Sequence, residues 1–567
     1  MSVARAWSSS FSRTVWAGIL GAATLVIAPW LLRGYTAGHD TAFHVNWWLE
    51  YAKHFREGTL HPRWAELAYR GYGEPAFIFY PPLSLFLGGV LTSLLPFRLV
   101  LGAYVWLVLA LAGFSFFHLC RQFFDERASL LGAVVYVLNP YHLLEVHARC
   151  SMAELLVSVW LPLLLLAIYR LGEPGRRRIA AVAMLFAVIA LTNIPLAVVT
   201  AYGALAFVVA LALARKSGVT PVVKFAVAGL LGAGLAGFFL LPAWYEKRWV
   251  LASVHAVVPP EAQFVRLSAL PFGHWAWALA GVEAGLIVLG ALGWLLCRKA
   301  EPRDALPAFG VLLAVATIMV LPISAVIWRV APALVYVQFP WRWLGIVGLA
   351  MSFFVAAAVR QSRKGVIFAA GVCAVSVATL GVFSVLVNTK ADILLPALRK
   401  SFVEGRGYLG WPYVLPRDIK IDEVGIPLYL TAGEPAVSVV GPEAAGRETQ
   451  SEETPDSWQG AARLALTHWS AEARGVVVDT VQPVWIRFRL FRYPGWTAYV
   501  DGKPVDAVAS DTRGAMVVPV PSGHSLVEVI YRRTADQSWG MWLTAFSAMV
   551  LVWMWFSGEP QAGLASR

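Results

Sequence analysis

Asp40 and His44 stand four residues apart in the stretch GHDTAFH, Gly38–His44. On a helix that spacing puts both side chains on one face. A carboxylate so placed can take the proton of an acceptor hydroxyl, the work of a general base. The same stretch also reads as a plain helix start, since Asp is a good N-cap for a helix over Thr41–Glu50. Position favours chemistry. The stretch follows the first long apolar run by about one helical turn, and an acid at a membrane edge facing a cavity is functional by default.

Three further groups supply charge. Lys53, His54, Arg56, Arg63 and Arg70 are interleaved with Trp47, Trp48, Tyr51, Phe55, Trp64 and Tyr69. Basic residues among aromatics bind phosphate-bearing headgroups, and equally make a generic interfacial anchor. Arg63 and Arg70 are candidates to hold a phosphate, with His39 and His44 beside Asp40 as further substrate-binding candidates. Glu145, His147, Arg149 and Glu154 gather between two later apolar runs. With Asp40 they offer oxygen and nitrogen ligands for a divalent metal ion, or they simply cap helix ends. No metal-type spacing is present, so no metal ligand is assigned. QFPWRW, Gln338–Trp343, sets Pro at a helix start and two Trp at an interface. There Gln338 and Arg342 either reach a phosphate or sugar or merely anchor the helix.

The elements that must position these groups are membrane helices. Of the 567 residues, 58% are hydrophobic and only 14% charged, too oily for a soluble chain of this length. The expected fold is a polytopic α-helical membrane protein of about twelve spans, with a C-terminal extracytoplasmic β-sandwich-like domain before the last span. The expected spans are Thr14–Leu32, Leu99–Leu119, Ala128–Val146, Leu155–Tyr169, Ile179–Asn193, Leu196–Ala214, Val222–Leu241, Trp275–Leu296, Leu306–Leu321, Leu344–Val359, Val366–Val387 and Trp539–Phe556. Five basic loops, beginning at Arg121, Arg170, Arg215, Arg298 and Arg360, each follow an even-numbered span, which puts all five on the cytoplasmic side. The apolar run Pro81–Pro96 would break that parity if it crossed, so it reads as a juxtamembrane or re-entrant helix. Residues 1–387 then form the catalytic membrane domain with a large first outer loop, 33–98. Residues 388–537 form the β domain, and 538–567 the final span and tail. In the β domain Ile486, Phe488 and Leu490 alternate with Arg487 and Arg489, Asp501–Gly502 signals a hairpin turn, and Gly441–Thr454 reads as a flexible loop.

Composition also excludes. The net charge of +12 lies mostly in short loops between spans and does not indicate nucleic acid. No Walker-type glycine loop, GxSxG elbow or HExxH is present. An ion-coupled transporter would usually show repeated halves with acids at mid-membrane; here Glu283 is the one acid well inside a later span, which ranks a transporter below an enzyme and leaves it open.

Taken together, GHDTAFH, EGTLHPRW (Glu57–Trp64), GYGEPAFIFYPPL (Gly71–Leu83), QFPWRW and YPGWTAYVDGKPV (Tyr493–Val505) resemble the GT-C glycosyltransferase superfamily. More closely, they resemble the bacterial YfhO-like and 6-pyruvoyl-tetrahydropterin-synthase-related membrane proteins. The resemblance implies a GT-C-like fold in the cell membrane and a polyprenyl-phosphate-linked sugar donor. It implies transfer to an envelope glycan, lipid or protein on the outer face. It casts Asp40 as general base and Glu145 as a second acid, and leaves metal dependence open. Departing phosphate charge would be stabilised by Arg63, Arg70, Arg342 or a metal; attack from the opposite face predicts inversion. The other readings are a transporter or flippase for lipid-linked sugars, and a non-catalytic envelope scaffold that binds glycan.

Overall fold

The computed structural model describes residues 12–35, 38–251, 264, 274–386, 391–411, 414–417, 419, 435–440, 461–505, 509–510 and 514–557. The loop expected at Gly441–Thr454 lies outside them.

The membrane part begins with α1 (Arg13–Arg33), α2 (Thr41–Arg56), α3 (Pro82–Leu94), α4 (Phe97–Cys120), α5 (Glu126–Val137) and α6 (Met152–Tyr169). It continues with α7 (Arg176–Ala190), α8 (Ile194–Arg215), α9 (Thr220–Leu235), α10 (Gly237–Glu246), α11 (His274–Cys297) and α12 (Ala305–Val320). Then come α13 (Leu344–Gln361), α14 (Arg363–Leu386) and α15 (Ala391–Val403); α16 (Ala535–Phe556) follows the β domain. Local chemistry sets the ends. The Asp125 side chain accepts the Ala128 N–H at 2.9 Å to start α5, and Asn193 does the same for Leu196 at 2.9 Å in α8.

Each of the twelve expected spans falls on a helix, but the count changes. Nine of the described helices are long and apolar enough to cross a bilayer, or eleven if each of two bent pairs counts as one. One bent pair joins α9 to α10 and Lys247–Trp249 at 75°; the other joins α12 to Pro322–Val330 at 85°. At the second, Leu321 is extended because the residue before a proline is driven out of helical geometry. The expected span at Ile179–Asn193 is α7; its 15 residues are fewer than the ~20 of a full crossing, yet the segment runs from the basic end, where Arg177 meets Trp555, to Asn193 at the Asp40 cavity. The run at Pro81–Pro96 is the 13-residue α3, which packs against α2. Only glycine fits at Gly88, where a Cβ would stand 2.1 Å from Trp48 Nε1.

The two ends of the bundle differ in chemistry. At one end the basic loops meet: Arg170 donates to Gln122, Arg215 to Asp304 and Tyr169, Arg360 to the Phe123 carbonyl, and Arg177 to the Trp555 carbonyl. At the other end lie Asp40, Arg149, Glu154, Arg342 and the β domain.

That domain has two antiparallel sheets. The strands are β1 (Val437–Val440), β2 (Ala462–Trp469), β3 (Ala473–Thr480), β4 (Val484–Phe491), β5 (Trp496–Val500), β6 (Lys503–Pro504), β7 (Ala509–Ser510), β8 (Ala515–Val520) and β9 (Gly523–Tyr531). One sheet runs β1-β4-β8-β7, the other β2-β3-β9-β5-β6. Burial alternates along β4 and β9, as period-two strands require. Asp501 (φ 50°) and Gly502 (φ 75°) both take positive φ between β5 and β6, the tight-turn geometry read from the sequence. The domain is clamped to the membrane part. Tyr493 donates to Glu246 at 2.6 Å, Gln537 donates to the same carboxylate at 2.9 Å, and Phe491 N–H bonds the Tyr72 carbonyl at 3.0 Å.

Candidate active site

The span that starts with α5 does not end cleanly. Asn139 and Pro140 restart it as a short helix, which widens into a π-turn over Glu145–Arg149 and stops at Cys150 with φ 54°. Such π-turns recur at functional sites. The last carbonyls of a helix have no partner within it. Here those of Ala148 and Arg149 accept from the backbone N–H groups of His39 (3.4 Å) and Asp40 (2.9 Å). The end of one span thus holds the start of α2. The approach is close enough to require glycine at 38, where a Cβ would lie 2.5 Å from Cys150 Sγ and 2.8 Å from the Ala148 carbonyl oxygen.

Asp40 occupies the N-cap position of α2, yet its side chain makes no capping hydrogen bond. The approach to the helix is held by another side chain: Thr41 Oγ1 accepts from the Gly38 N–H at 3.0 Å. The Asp40 carboxylate is therefore not used up in holding the helix. It faces a cavity of about 780 Å³ together with His39, His44, Arg149, Glu154, Gln338 and Arg342.

His44 is fixed from behind. Its Nε2 accepts the Met152 N–H at 3.3 Å, which leaves the proton on Nδ1. Burial pulls its pKa down to about 4, against the raising pull of Asp40 and Glu154, so the ring is neutral at physiological pH. Tyr80 stays a neutral phenol, its pKa raised well above 10 by burial and then by Asp40 and Glu154.

Glu154, in the first turn of α6, bridges two arginines. Arg149 reaches it through Nη1 at 2.8 Å and Nη2 at 2.9 Å, and Arg342 through Nε at 2.9 Å and Nη2 at 2.8 Å. Arg149 also donates to Glu145 at 2.7 Å, and Arg342 to the Val337 carbonyl. Gln338 supplies the bend that brings this segment in. With φ 64° and ψ −55°, and a 2.7 Å bond from Phe339 N–H to the Val337 carbonyl, it forms the rare, strained kind of γ-turn. Strain of this sort persists where surrounding structure over-determines it, often at functional sites. It sets the Phe339 ring under the guanidinium of Arg342 at 4.8 Å and near that of Arg149 at 5.7 Å. The other wall is aromatic: Trp47, Tyr80 and Trp411 lie with ring centres 4.8–6.0 Å apart. Trp411 is held there by its N–H bond to Glu74 at 2.8 Å.

Four candidates from the sequence do not join this group. Glu145 sits behind Arg149, in a small cleft with Tyr136, Tyr141 and His142; the carboxylate that lines the cavity beside Asp40 is Glu154. His147 points at α1, bonded to the Val26 carbonyl at 3.0 Å and against Trp30. Arg63 is buried under the β domain near Tyr531, Glu246 and Glu472. Arg70, in left-handed backbone at φ 57°, donates its N–H to the Tyr408 carbonyl. The metal set drawn from Asp40, Glu145, His147 and Glu154 does not assemble: among the described residues no three His, Cys, Asp or Glu side chains converge as ligands. The sequence reading passed over Trp411. It lies where the β domain was expected to begin, with no periodicity to mark it.

Residues 77–391 match the model of the family described as 6-pyruvoyl-tetrahydropterin synthase related domain, a membrane protein. The chain belongs to this family. The family domain covers Arg149, Glu154, Gln338 and Arg342, while α1, α2 with Asp40, and the β domain lie outside it. No curated protein matches the chain. Solved structures it is similar to include ArnT from Cupriavidus metallidurans bound to undecaprenyl phosphate, at 15% identity and TM-score 0.40 over 70% of each chain. Another is the arabinofuranosyltransferase AftD from Mycobacteria, at 12% identity and TM-score 0.42, covering 93% of this chain. The chain spans 58% of the length of AftD. At those scores the likeness transfers neither fold detail nor chemistry.

Proposed function

We propose that this membrane protein is an inverting glycosyltransferase of the GT-C kind. It moves a sugar from a polyprenyl-phosphate-linked donor to an envelope acceptor. The observation that carries the reading is Asp40: a carboxylate at a helix start, not spent on capping, lining a cavity that is also lined by two ordered guanidinium groups. Asp40 takes the acceptor hydroxyl proton as that oxygen attacks the anomeric carbon. The phosphate leaves toward Arg149 and Arg342, whose N–H groups not bonded to Glu154 stabilise its growing charge. Neutral His44 and Tyr80 orient hydroxyls, and Trp47 and Trp411 offer flat faces to a sugar ring. Arg63, Arg70 and His147 have no part in this scheme, and Glu145 only holds Arg149. Both the cavity and the β domain lie at the end of the bundle away from the basic loops, which by the positive-inside rule supports an outer-face reading.

The test is transfer of radiolabelled sugar from a polyprenyl-phosphate donor in reconstituted membranes. Asp40→Asn keeps the size and backbone bonds of the residue but cannot accept the proton. A general base is worth roughly 10²–10⁴ in rate, so transfer falls at least about a hundredfold while donor binding holds. Near-normal transfer by this variant rejects Asp40 as the base, whereas no transfer by the unaltered protein favours a transporter or a glycan-binding scaffold.

A further inference from the structure

A second cavity, of about 810 Å³, opens at the same end of the bundle and shares no lining residue with the first. Tyr35, Pro96, Phe97 and Arg98 form one wall, where α1 ends and α4 begins. Leu395, Pro396, Arg399, Lys400 and Val403 of α15 form the other. It lies across α2 from the reaction cavity: Val45 and Leu49 of α2 pack on Leu395, while Asp40, His44 and Trp47 face the other way.

Its chemistry is one-sided. Among the described residues, three cations and no carboxylate line it. Among the described residues, too, the acid in contact with these cations is Glu404, 3.9 Å from Lys400 and shared with Arg406 at 2.9 Å. Arg399 lies over the Phe97 ring at 5.8 Å, and the Tyr35 hydroxyl donates to the Arg98 carbonyl at 2.6 Å, which fixes the floor. The α4 N-terminus adds its partial positive charge. The remaining walls are apolar, and the flanking turns expose Leu31, Leu32, Leu94 and Leu99. A soluble anion would meet only the cations. A molecule with a phosphate head and hydrocarbon chains matches the cations, the apolar walls and the exposed leucines at once.

We infer that this cavity binds a lipid through its anionic phosphate headgroup, with the chains running down the outer surface of α1 and α4. The inference does not rest on the transfer reaction and stands if that reading fails. The volume lies within the ~300–1,000 Å³ usual for ligand pockets.

The experiment uses the full chain in nanodiscs of phosphatidylcholine carrying either phosphatidylglycerol or a polyprenyl phosphate, with retained lipid counted by native mass spectrometry. Arg399→Glu combined with Lys400→Glu changes exposed side chains only and lowers retention of the bound lipid by about tenfold or more, given the contribution of each basic residue near a charged headgroup. Val403→Trp narrows the mouth without changing charge and lowers retention as well. The arm that responds names the lipid: phosphatidylglycerol marks a structural bilayer lipid, polyprenyl phosphate a waiting site for the carrier. Equal retention by wild type and both variants in both arms overturns the proposal. So does inorganic phosphate binding as tightly as either lipid, because the hydrocarbon would then contribute nothing.

Discussion

Among the described residues, arginine is buried among aromatic rings beside the Asp40 cavity and in the seam between the β domain and the first outer loop. At the cavity Arg149 and Arg342 share Glu154, Arg149 also holds Glu145, and Phe339 lies beneath. In the seam Arg474 is fully buried between Trp469 and Trp496 at 4.6 and 5.4 Å. It gives one bond to the Arg489 carbonyl at 2.7 Å, and its Nε and Nη2 have no partner. Burial pushes its pKa down to about 10. Residue types are the same in both places. What differs is that hydrogen-bonded carboxylates order the first pair in front of an open volume, whereas in the seam Glu66 and Glu50 act on Arg474 only at a distance. A buried guanidinium is thus evidence of a site only where something orders it and something can reach it.

The largest effect that would break this contrast is on turnover. Asp40→Asn is expected to cost about 10²–10⁴ in rate with an unchanged melting temperature. Arg63→Ala, in the seam, is expected to leave the donor KM within about twofold and to lower stability by ~1–3 kcal/mol through loss of a buried polar partner. A raised donor KM in the Arg63 variant would return that residue to the phosphate.

Glu154→Gln comes next. It leaves Arg149 and Arg342 without their shared anion, and breaking a buried ion pair from one side costs ~3–5 kcal/mol. Thermal unfolding in detergent measures it. A loss below about 1 kcal/mol would mean the two guanidinium groups have other anchors, and the contrast with the seam would fade.

His44 sharpens the cavity side through pH. Its pKa falls from 6.5 in the unfolded chain to about 4 in the folded one. The unfolded chain therefore takes up a proton first as pH drops. The stability is fully present above about pH 6.5 and is lost as pH falls toward 4. Between pH 6.5 and 5 that amounts to about 2 kcal/mol at ~1.4 kcal/mol per unit. His44→Gln has no such dependence, so its stability relative to wild type improves by about that much from pH 8 to pH 5. Parallel profiles would show that the ring is not buried neutral.

Much of this was legible in the sequence, for reasons that differ by region. Apolar runs and basic loops located the helices because hydrophobic length and loop charge are local properties. The hairpin at Asp501–Gly502 was readable because positive φ selects residue types. Asp40, His44, Gln338 and Arg342 were readable as polar groups at span ends. The placement of Arg63 away from the cavity was not legible because the β-domain residues near it come some 400 residues later in the chain, and basic–aromatic interleaving looks the same under a domain as under a lipid. Glu154 was seen only as a possible ligand. Its role depends on Arg342, 188 residues away, which no spacing rule connects.

The smallest effect tests the seam directly. Arg474→Met keeps length and apolar bulk but removes the charge. The change gives up the cation–π contacts with Trp469 and Trp496, about 0.5–2 kcal/mol, and the bond to the Arg489 carbonyl, about 1 kcal/mol. Against this, it relieves the burial of a guanidinium with two unpartnered nitrogens, and replacing buried charge by a well-packed apolar side chain is often neutral or stabilising by ~1–4 kcal/mol. These terms nearly cancel, so the melting temperature should move little and sugar transfer should stay within about twofold. The same replacement at the cavity, Arg342→Met, removes a phosphate partner and strands part of the charge on Glu154, so it should fail in both assays. If Arg474→Met instead lost several kcal/mol, the seam guanidinium would have an anion as firm as Glu154, and the distinction between the two arginine sites would rest on the open cavity alone.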